Sequence, residues 1–360
     1  MAPSQTAPFG IPCVQYLDVD GRPLGPLPDF ASDPDALRAL YRGMLRTRAF
    51  DAKAVTLQRT GRLGTFASSL GQEAVAVGAA AAMQPDDVLA PSFREQGAQL
   101  WRGVTPVELL LYWAGDERGS DFSGPREDFP ICVPVASHAP HAAGVALALK
   151  LRREARAVLC VLGDGATSKG DFYEALNLAG VWRLPLVVLI NNNQWAISVP
   201  RAAQSAAETL AQKAVAAGIR GEQVDGNDVI AVRECVAQAL TRARAGKGPT
   251  LIEALTYRLG DHTTADDARR YRDDAEVSAR WPAEPVVRMR AYLTARNLWG
   301  RADEEQALEV AAAEMDQAAD ACLATPPQPL SSIFDYLFAA LPSPLAAQRA
   351  AALAQEASDG

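Results

Sequence analysis

The chain has no C-x-x-C pair, no block of lysine and arginine, and no apolar run approaching the ~20 residues that cross a bilayer. Each absence removes a class. Its five cysteines, Cys13, Cys132, Cys160, Cys235 and Cys322, are too scattered for a disulfide framework or a zinc site, and read as reduced, mostly buried thiols. With a formal net charge of -8 and no concentrated positive field, neither nucleic acid nor a membrane is an expected partner. A small anionic ligand is compatible, because a site can be basic inside an acidic protein. The opening stretch, MAPSQTAPFGIPCVQYLDVDG, lacks a basic n-region, an apolar h-region and an Arg-rich amphipathic pattern. No signal or transit peptide is read there, and the expected compartment is a bacterial cytoplasm.

What is present is a core-forming sequence of 360 residues, 49% hydrophobic. Residues 1–31, rich in Pro and Gly, read as an extended arm. Residues 32–284 read as an α/β domain. A helix is expected over 32–60, with Ser32 or Asp33 as cap and Leu37, Leu40, Tyr41, Met44 and Leu45 at helical spacing. Another follows Gly71, and an Ala-rich one runs from about His141 to Arg153. From Ala157 short apolar strands (AVLCVL, LPLVVLI, TLIEALTY, with a shorter one near Glu222–Val224) alternate with helices read at DFYEALNLAGVW, SAAETLAQKAVAAG and DVIAVRECVAQALTRARAG. That alternation predicts a parallel sheet with helices on both faces. Residues 285–360 read as a helical C-terminal extension expected to pack on the domain and on partner subunits.

Two of the strands end abruptly, one at Gly163-Asp164-Gly165 and the next at Asn191-Asn192-Asn193. In a right-handed βαβ unit both ends lie on the edge where open α/β sheets bind ligands. A carboxylate, an amide oxygen and a nearby carbonyl are hard donors suited to Mg²⁺, which takes its further ligands from water and phosphate oxygens. The glycines permit close approach of a phosphate, and the following helix offers it free N–H groups. A dinucleotide fingerprint fits badly, because Gly163, Gly165 and Gly170 have the wrong spacing and the second strand ends in Asn rather than an acid. A P-loop fails for want of Gly-Lys-Ser/Thr.

Gly163-Asp164-Gly165 followed by Asn192-Asn193 resembles the thiamine diphosphate motif. With GDGATSKGDFYEALNLAG, NNNQWAIS, QVDGNDVIAV, TYRLGDHTTADDARRYR, GQEAVAVG and SFREQG, the chain from about Tyr16 to near its end resembles the alpha subunit of the decarboxylating first component of 2-oxoacid dehydrogenase complexes. The resemblance implies a thiamine diphosphate-binding fold and a metal held by Asp164, Asn193 and the carbonyl of Trp195. It puts Gly163, Gly165 and Ala166 beside the cofactor, and Arg94 and Arg258 on its phosphates. Phe93 stands where relatives have Tyr, which removes one hydroxyl contact. Main-chain groups at Val133 and Val135 would meet the aminopyrimidine. His262 would be the catalytic residue, handling protons on the substrate and the lipoyl group, in a loop that orders when cofactor binds and whose Thr263 occupies a position phosphorylated in some relatives. His138 and His141 lack a third ligand and read as packing or capping groups, His138 standing where relatives often have Gln.

The resemblance further implies oxidative decarboxylation of a 2-oxoacid, pyruvate first, and reductive acetylation of the lipoyl group on a dihydrolipoamide acyltransferase. The branched-chain 2-oxoacid and acetoin enzymes are alternatives, with Thr65, Phe66 and Ser92 as candidate pocket residues. No residue is assignable to the Glu that activates the cofactor, which implies a separate beta subunit in an α₂β₂ heterotetramer. The non-enzymatic alternative is a regulatory subunit that binds only metal and diphosphate.

Overall fold

The computed structural model describes residues 7–359, with side chains as far as Glu356; the first six residues of the expected arm lie outside the described residues. In chain order β1 (Cys13–Val14) precedes the long helix α1 (Pro34–Arg59), then α2 (Glu73–Ala81), β2 (Val88–Ala90), α3 (Gln96–Arg102), α4 (Pro106–Trp113) and α5 (His138–Arg152). The central repeats are β3 (Val158–Gly163), α6 (Gly170–Trp182), β4 (Leu186–Asn192), a hairpin of β5 (Trp195–Ala196) and β6 (Val199–Pro200), the short α7 (Arg201–Gln204) and α8 (Lys213–Ala216), β7 (Arg220–Asp225), α9 (Val229–Arg244) and β8 (Thr250–Leu255). Helices α10 (Asp274–Ser278), α11 (Pro285–Ala295), α12 (Arg301–Ala324), α13 (Ser332–Asp335) and α14 (Ser343–Asp359) follow.

Six strands form one parallel sheet in the order β1-β7-β8-β4-β3-β2. Because side chains alternate along a strand, each strand feeds two cores. Val158, Cys160, Leu162, Val188 and Ile190 meet α5 and α6 on one face. Leu159, Val161, Val187, Leu189 and Ile252 meet α2 and α9 on the other. Burial on both faces explains why these strands read as unbroken apolar runs. Helix α1 begins as its sequence predicts: the Asp33 carboxylate accepts from the Asp35 N–H at 2.9 Å and Pro34 fills the first turn. Its apolar side (Leu37, Tyr41, Met44) packs against Val286, Met289 and Tyr292 of α11.

Two segments differ from the sequence reading. Residues 205–218, read as one helix, contain only the single turn of α8. The competing partners are explicit: Arg201 binds the carbonyls of Ser205, Ala207 and Glu208, and the Ala211 N–H donates to the buried Glu253 carboxylate at 2.9 Å. Strand β2 was not visible as a strand in DDVLAPS; pairing with β3 makes it one. Residues 1–319 and 320–360 are two compact units. Within the second, Arg349 of α14 pairs with Asp335 of α13 at 3.4 Å. Among the described residues, no helix is long and apolar enough to cross a membrane.

The arm is tied down by one buried side chain. Asp228 caps α9 through the N–H groups of Ile230 and Ala231, and accepts from those of Tyr16 and Leu17 at 2.8 and 2.7 Å. Asp228→Ala leaves four main-chain donors without their acceptor, so it is expected to cost about 2–4 kcal/mol in urea unfolding. A loss below about 0.5 kcal/mol would mean that water replaces the carboxylate without penalty.

Candidate functional site

Strands β3 and β4 end in step, Gly163 lying opposite Asn191. The three asparagines then divide by the alternation of the strand. Asn191 accepts from the Thr256 hydroxyl at 2.9 Å, and Asn192 donates to Glu253 at 2.7 Å. Asn192 lies outside the cavity lining, whereas Asn191, two residues before Asn193 and on the same side of the strand, is part of it. Asn193, one residue past the strand, is oriented by its neighbours. The Trp195 N–H, a donor without ambiguity, bonds its Oδ1 at 3.2 Å, so its Nδ2 faces Gln72 and donates to Oε1 at 2.9 Å. The amide oxygen of Asn193 therefore keeps a lone pair free on the side away from Gln72.

Asp164 opens a 3-10 turn, Asp164–Ser168, that separates β3 from α6. It is buried, and its Oδ2 has no hydrogen-bond partner among the described residues. Burial pushes its pKa up to about 6, against the opposing pull of its own and Gly165's N–H and of Arg258 and Arg94. A Cβ on Gly165 would lie 2.9 Å from Ala196 Cβ, whereas one on Gly163 would meet open space. Only Gly165 is thus required by the protein's own packing. An unpaired carboxylate oxygen, an amide oxygen and the Trp195 carbonyl, which Arg258 Nη1 approaches at 3.4 Å, make a donor set fitted to a hard divalent cation. These groups line a cavity of about 370 Å³.

The opposite wall is basic. Arg94 is buried, donating to the carbonyls of Ser68 and, at 2.7 Å, His262, and approaching His262 Nδ1 at 3.0 Å. Arg258, also buried, bonds the Ile197 carbonyl at 2.9 Å and the Tyr271 hydroxyl at 2.8 Å, and reaches His262 Nδ1 at 3.5 Å. Burial, with the charge of Arg258, brings Arg94 down to about 10. Burial, with the two guanidiniums, brings His262 down to about 4. In this geometry His262 is neutral at pH 7. Because guanidinium N–H groups only donate, its Nδ1 is the acceptor and its proton is on Nε2. Asp266 completes a ring, accepting from the His262 N–H at 2.9 Å and from the Tyr271 hydroxyl. Two buried cations that form no direct ion pair among the described residues fit an anionic ligand.

Phe93, Arg94, Val135, Gly163, Ala166 and His262 line the same cavity as Asp164, Gly165, Asn193 and Trp195. Arg258 stands behind His262, and Val133, though exposed, is not in the lining. Of the three pocket candidates only Ser92 reaches the cavity. Phe66 is buried between Phe50 and Trp113, with ring centroids 6.1 and 5.1 Å away, and Thr65 is not in the lining. His138 begins α5, contacts the Val161 carbonyl through Nε2 at 2.8 Å and lines the cavity; His141 is exposed. Gln72 and Glu95, also in the lining, were missed as site residues. Both lie inside quoted motifs, GQEAVAVG and SFREQG, but no spacing rule aims a helix-end polar side chain at a particular cavity.

The profile of the family described as "Dehydrogenase E1 component" matches residues 41–331. A 3-methyl-2-oxobutanoate dehydrogenase subunit alpha of Mycobacterium tuberculosis is 42% identical over 338 residues, 93% of this chain and 92% of that protein. A pyruvate dehydrogenase E1 component subunit alpha of Staphylococcus aureus is 38% identical over 338 residues, covering 93% and 91%. One of Mycoplasma genitalium is 36% identical over 335 residues, covering 93% and 94%.

Two measurements check this geometry. Asp164 binds its proton more tightly in the folded chain than at its ordinary value of 3.8, so the metal-free fold should lose stability as pH rises from about 4 to 6. Over the same window Mn²⁺ affinity, by calorimetry, should climb about tenfold per pH unit and then level off; a flat profile would remove Asp164 from the cation site. In ¹⁵N spectra of the ligand-free chain at pH 7, His262 should be the neutral Nε2–H tautomer, and an imidazolium signal would contradict the two-guanidinium arrangement.

Proposed function

The chain belongs to the dehydrogenase E1 component family, among its alpha subunits, and on that footing we propose that it is the alpha subunit of pyruvate dehydrogenase. The reaction is the thiamine diphosphate-dependent oxidative decarboxylation of pyruvate, with transfer of the acetyl unit to a lipoyl group. The observation that carries the reading is one cavity lined by a buried carboxylate with an unpartnered oxygen, Asp164, and by the buried guanidinium of Arg94, with that of Arg258 behind His262. A metal diphosphate answers both demands.

In this reading Asp164, the Asn193 amide oxygen and the Trp195 carbonyl hold Mg²⁺. Arg94 and Arg258 hold the diphosphate, with main-chain N–H groups at Gly165 and Ala166 nearby. Val133 and Val135 support the aminopyrimidine through their backbone, and Gly163 and Phe93 line its approach. When bound, thiamine diphosphate supplies the nucleophilic carbon for the 2-oxo group and the electron sink for loss of CO₂. His262 presents its Nε2–H as a donor to the substrate or lipoyl group. A diphosphate beside Arg94 offsets the positive field that lowers its pKa, so cofactor binding moves the imidazole back toward the range where proton transfer is efficient.

The lining contains only two carboxylates, Asp164 and Glu95. Asp164 is taken by the metal, and Glu95 already accepts from the Ser92 hydroxyl at 2.7 Å and the Arg94 N–H at 3.3 Å. This supports an activating Glu on a beta subunit, an α₂β₂ assembly, and a lipoyl-bearing dihydrolipoamide acyltransferase as the next partner. The helical C-terminal extension is proposed as a contact with those subunits, and the bacterial cytoplasm as the compartment. A second substrate reading, a branched-chain 2-oxoacid, is favoured by the 42% identity to the 3-methyl-2-oxobutanoate enzyme's alpha subunit against 38% and 36% to pyruvate dehydrogenase alpha subunits.

One experiment decides: co-express the chain with its beta partner and measure CO₂ release from pyruvate and from 2-oxoisovalerate. A higher kcat/KM for pyruvate is expected, and the reverse order transfers the assignment to the branched-chain enzyme. His262→Ala should lower lipoyl acylation by about 10²–10⁴-fold with little change in cofactor affinity, the size of a lost proton-transfer group. Asp164→Ala should instead abolish cofactor binding. Full turnover by His262→Ala would leave only a metal- and diphosphate-binding regulatory role.

A further inference from the structure

The groups around the cavity come from distant parts of the chain, yet one irregular segment, residues 66–72, touches most of them. Phe66 exchanges hydrogen bonds with Thr264 of the His262 loop, its N–H reaching Oγ1 at 3.0 Å and its carbonyl accepting from the Thr264 N–H at 2.9 Å. The Ser68 carbonyl accepts from Arg94 Nη1, and that of Leu70 from the Leu259 N–H at 3.3 Å. Gln72, at the end, orients Asn193. Apart from Gln72 and Thr264 Oγ1 these contacts are main-chain or end on main-chain atoms. The shape of the segment, more than its side chains, decides where Arg94 and His262 stand.

That shape is gripped from outside the site by Asp51, buried in the middle of α1. A single carboxylate oxygen, Oδ2, accepts from the Ser69 N–H at 2.6 Å, the Ser68 hydroxyl at 2.7 Å and the Ser69 hydroxyl at 3.1 Å. Its other oxygen, Oδ1, is buried without a partner among the described residues. An ionised carboxylate left half unsatisfied in the core is costly, so the bonds to the segment are what retain it there. Burial raises Asp51 to about 6, against the pull of its three donors and of Arg94.

We propose that Asp51 is a positioning residue for cofactor binding: by gathering Ser68 and Ser69 onto one oxygen it fixes the segment from which Arg94 and the His262 loop are hung. The inference rests on the cofactor reading above. It also makes a chemical distinction. Since only one oxygen works, Asn at this position can supply that acceptor through its amide oxygen and put its NH₂ group where Oδ1 was idle.

The test uses the full chain assembled with its beta partner. Asp51→Ala should raise the Kd for thiamine diphosphate, by calorimetry with excess Mg²⁺, at least about tenfold, the equivalent of one lost charge-assisted hydrogen bond. Without cofactor, it should speed tryptic cleavage after Arg269 and Arg270 in the exposed part of the His262 loop. Asp51→Asn should restore both to within about threefold of wild type. If Asp51→Ala does not fold, the double variant Ser68→Ala/Ser69→Ala, which keeps the carboxylate and removes two donors, should shift both readouts in the same direction. Unchanged affinity and cleavage in Asp51→Ala with only a lower Tm, or an Asn variant as impaired as the Ala one, would overturn the proposal. Wild-type assembly that fails to bind thiamine diphosphate would instead sink the cofactor reading, leaving the cleavage comparison to judge Asp51 by itself.

Discussion

Burying Asp164 at the end of a strand, with one oxygen unpaired, costs free energy that the N–H groups of its own turn offset only in part. Arg94 in the cavity wall and Arg258 behind His262 are buried with the converse deficit: both guanidiniums spend their donors on carbonyls, a hydroxyl and a neutral imidazole rather than on acids. Placed on one sheet edge, the two deficits lower each other, and each charge shifts the other's titration in the expected direction. A ligand with a cation at one end and phosphate oxygens at the other removes both. The site is thus strained toward its ligand, in keeping with the general finding that perturbed ionisable groups gather where chemistry is done.

The fold brings these charges to one edge of the sheet. Strands buried on both faces, with Gly163 opposite Asn191, carry Asp164 and Asn193 to the same edge and into one cavity. Helices α2 and α9 on one face and α5 and α6 on the other leave that edge as the open side of the sandwich. What faces the edge from beyond the sheet is held by hydrogen bonds more than by apolar contact. The His262 loop has a closed ring through Asp266, Tyr271 and Arg258. The 66–72 segment has the Asp51 grip. Directional bonds fix geometry more tightly than apolar packing does, and they can be broken and remade when a ligand or partner arrives.

Much of this could be read from the chain. The oxygen donors at the sheet edge were legible because three of them fall near the ends of two consecutive strands, and a period of two fixes which face each takes. The cap and first turn of α1 were legible because Asp33 and Pro34 act on their immediate neighbours. The failures share a cause. Residues 205–218 have helical composition, but Glu253 and Arg201, one of them far along the chain, take over their backbone groups. Phe66 was read as lining a substrate pocket and instead fills an aromatic cluster with Phe50 and Trp113. Its type said apolar surface, and nothing local said which surface.

His262 marks the boundary most clearly. Its residue type and loop pointed to proton chemistry near neutrality, yet its titration is set by burial first, then by Arg94, 168 positions away, and by Arg258, one helical turn's spacing along a loop that is not a helix. The amino-acid order by itself determined the parallel α/β sheet, the ends of its strands and the residue types gathered there, because those follow from periodicities of two and 3.6 and from short-range turn chemistry. Only the tertiary structure decided which amides line the cavity, which glycine is sterically required, that Gln72, Glu95 and His138 share the wall, and that the imidazole is neutral. Each of those depends on distance and dielectric between groups that the chain keeps far apart, and Coulomb forces and burial are set by position in space.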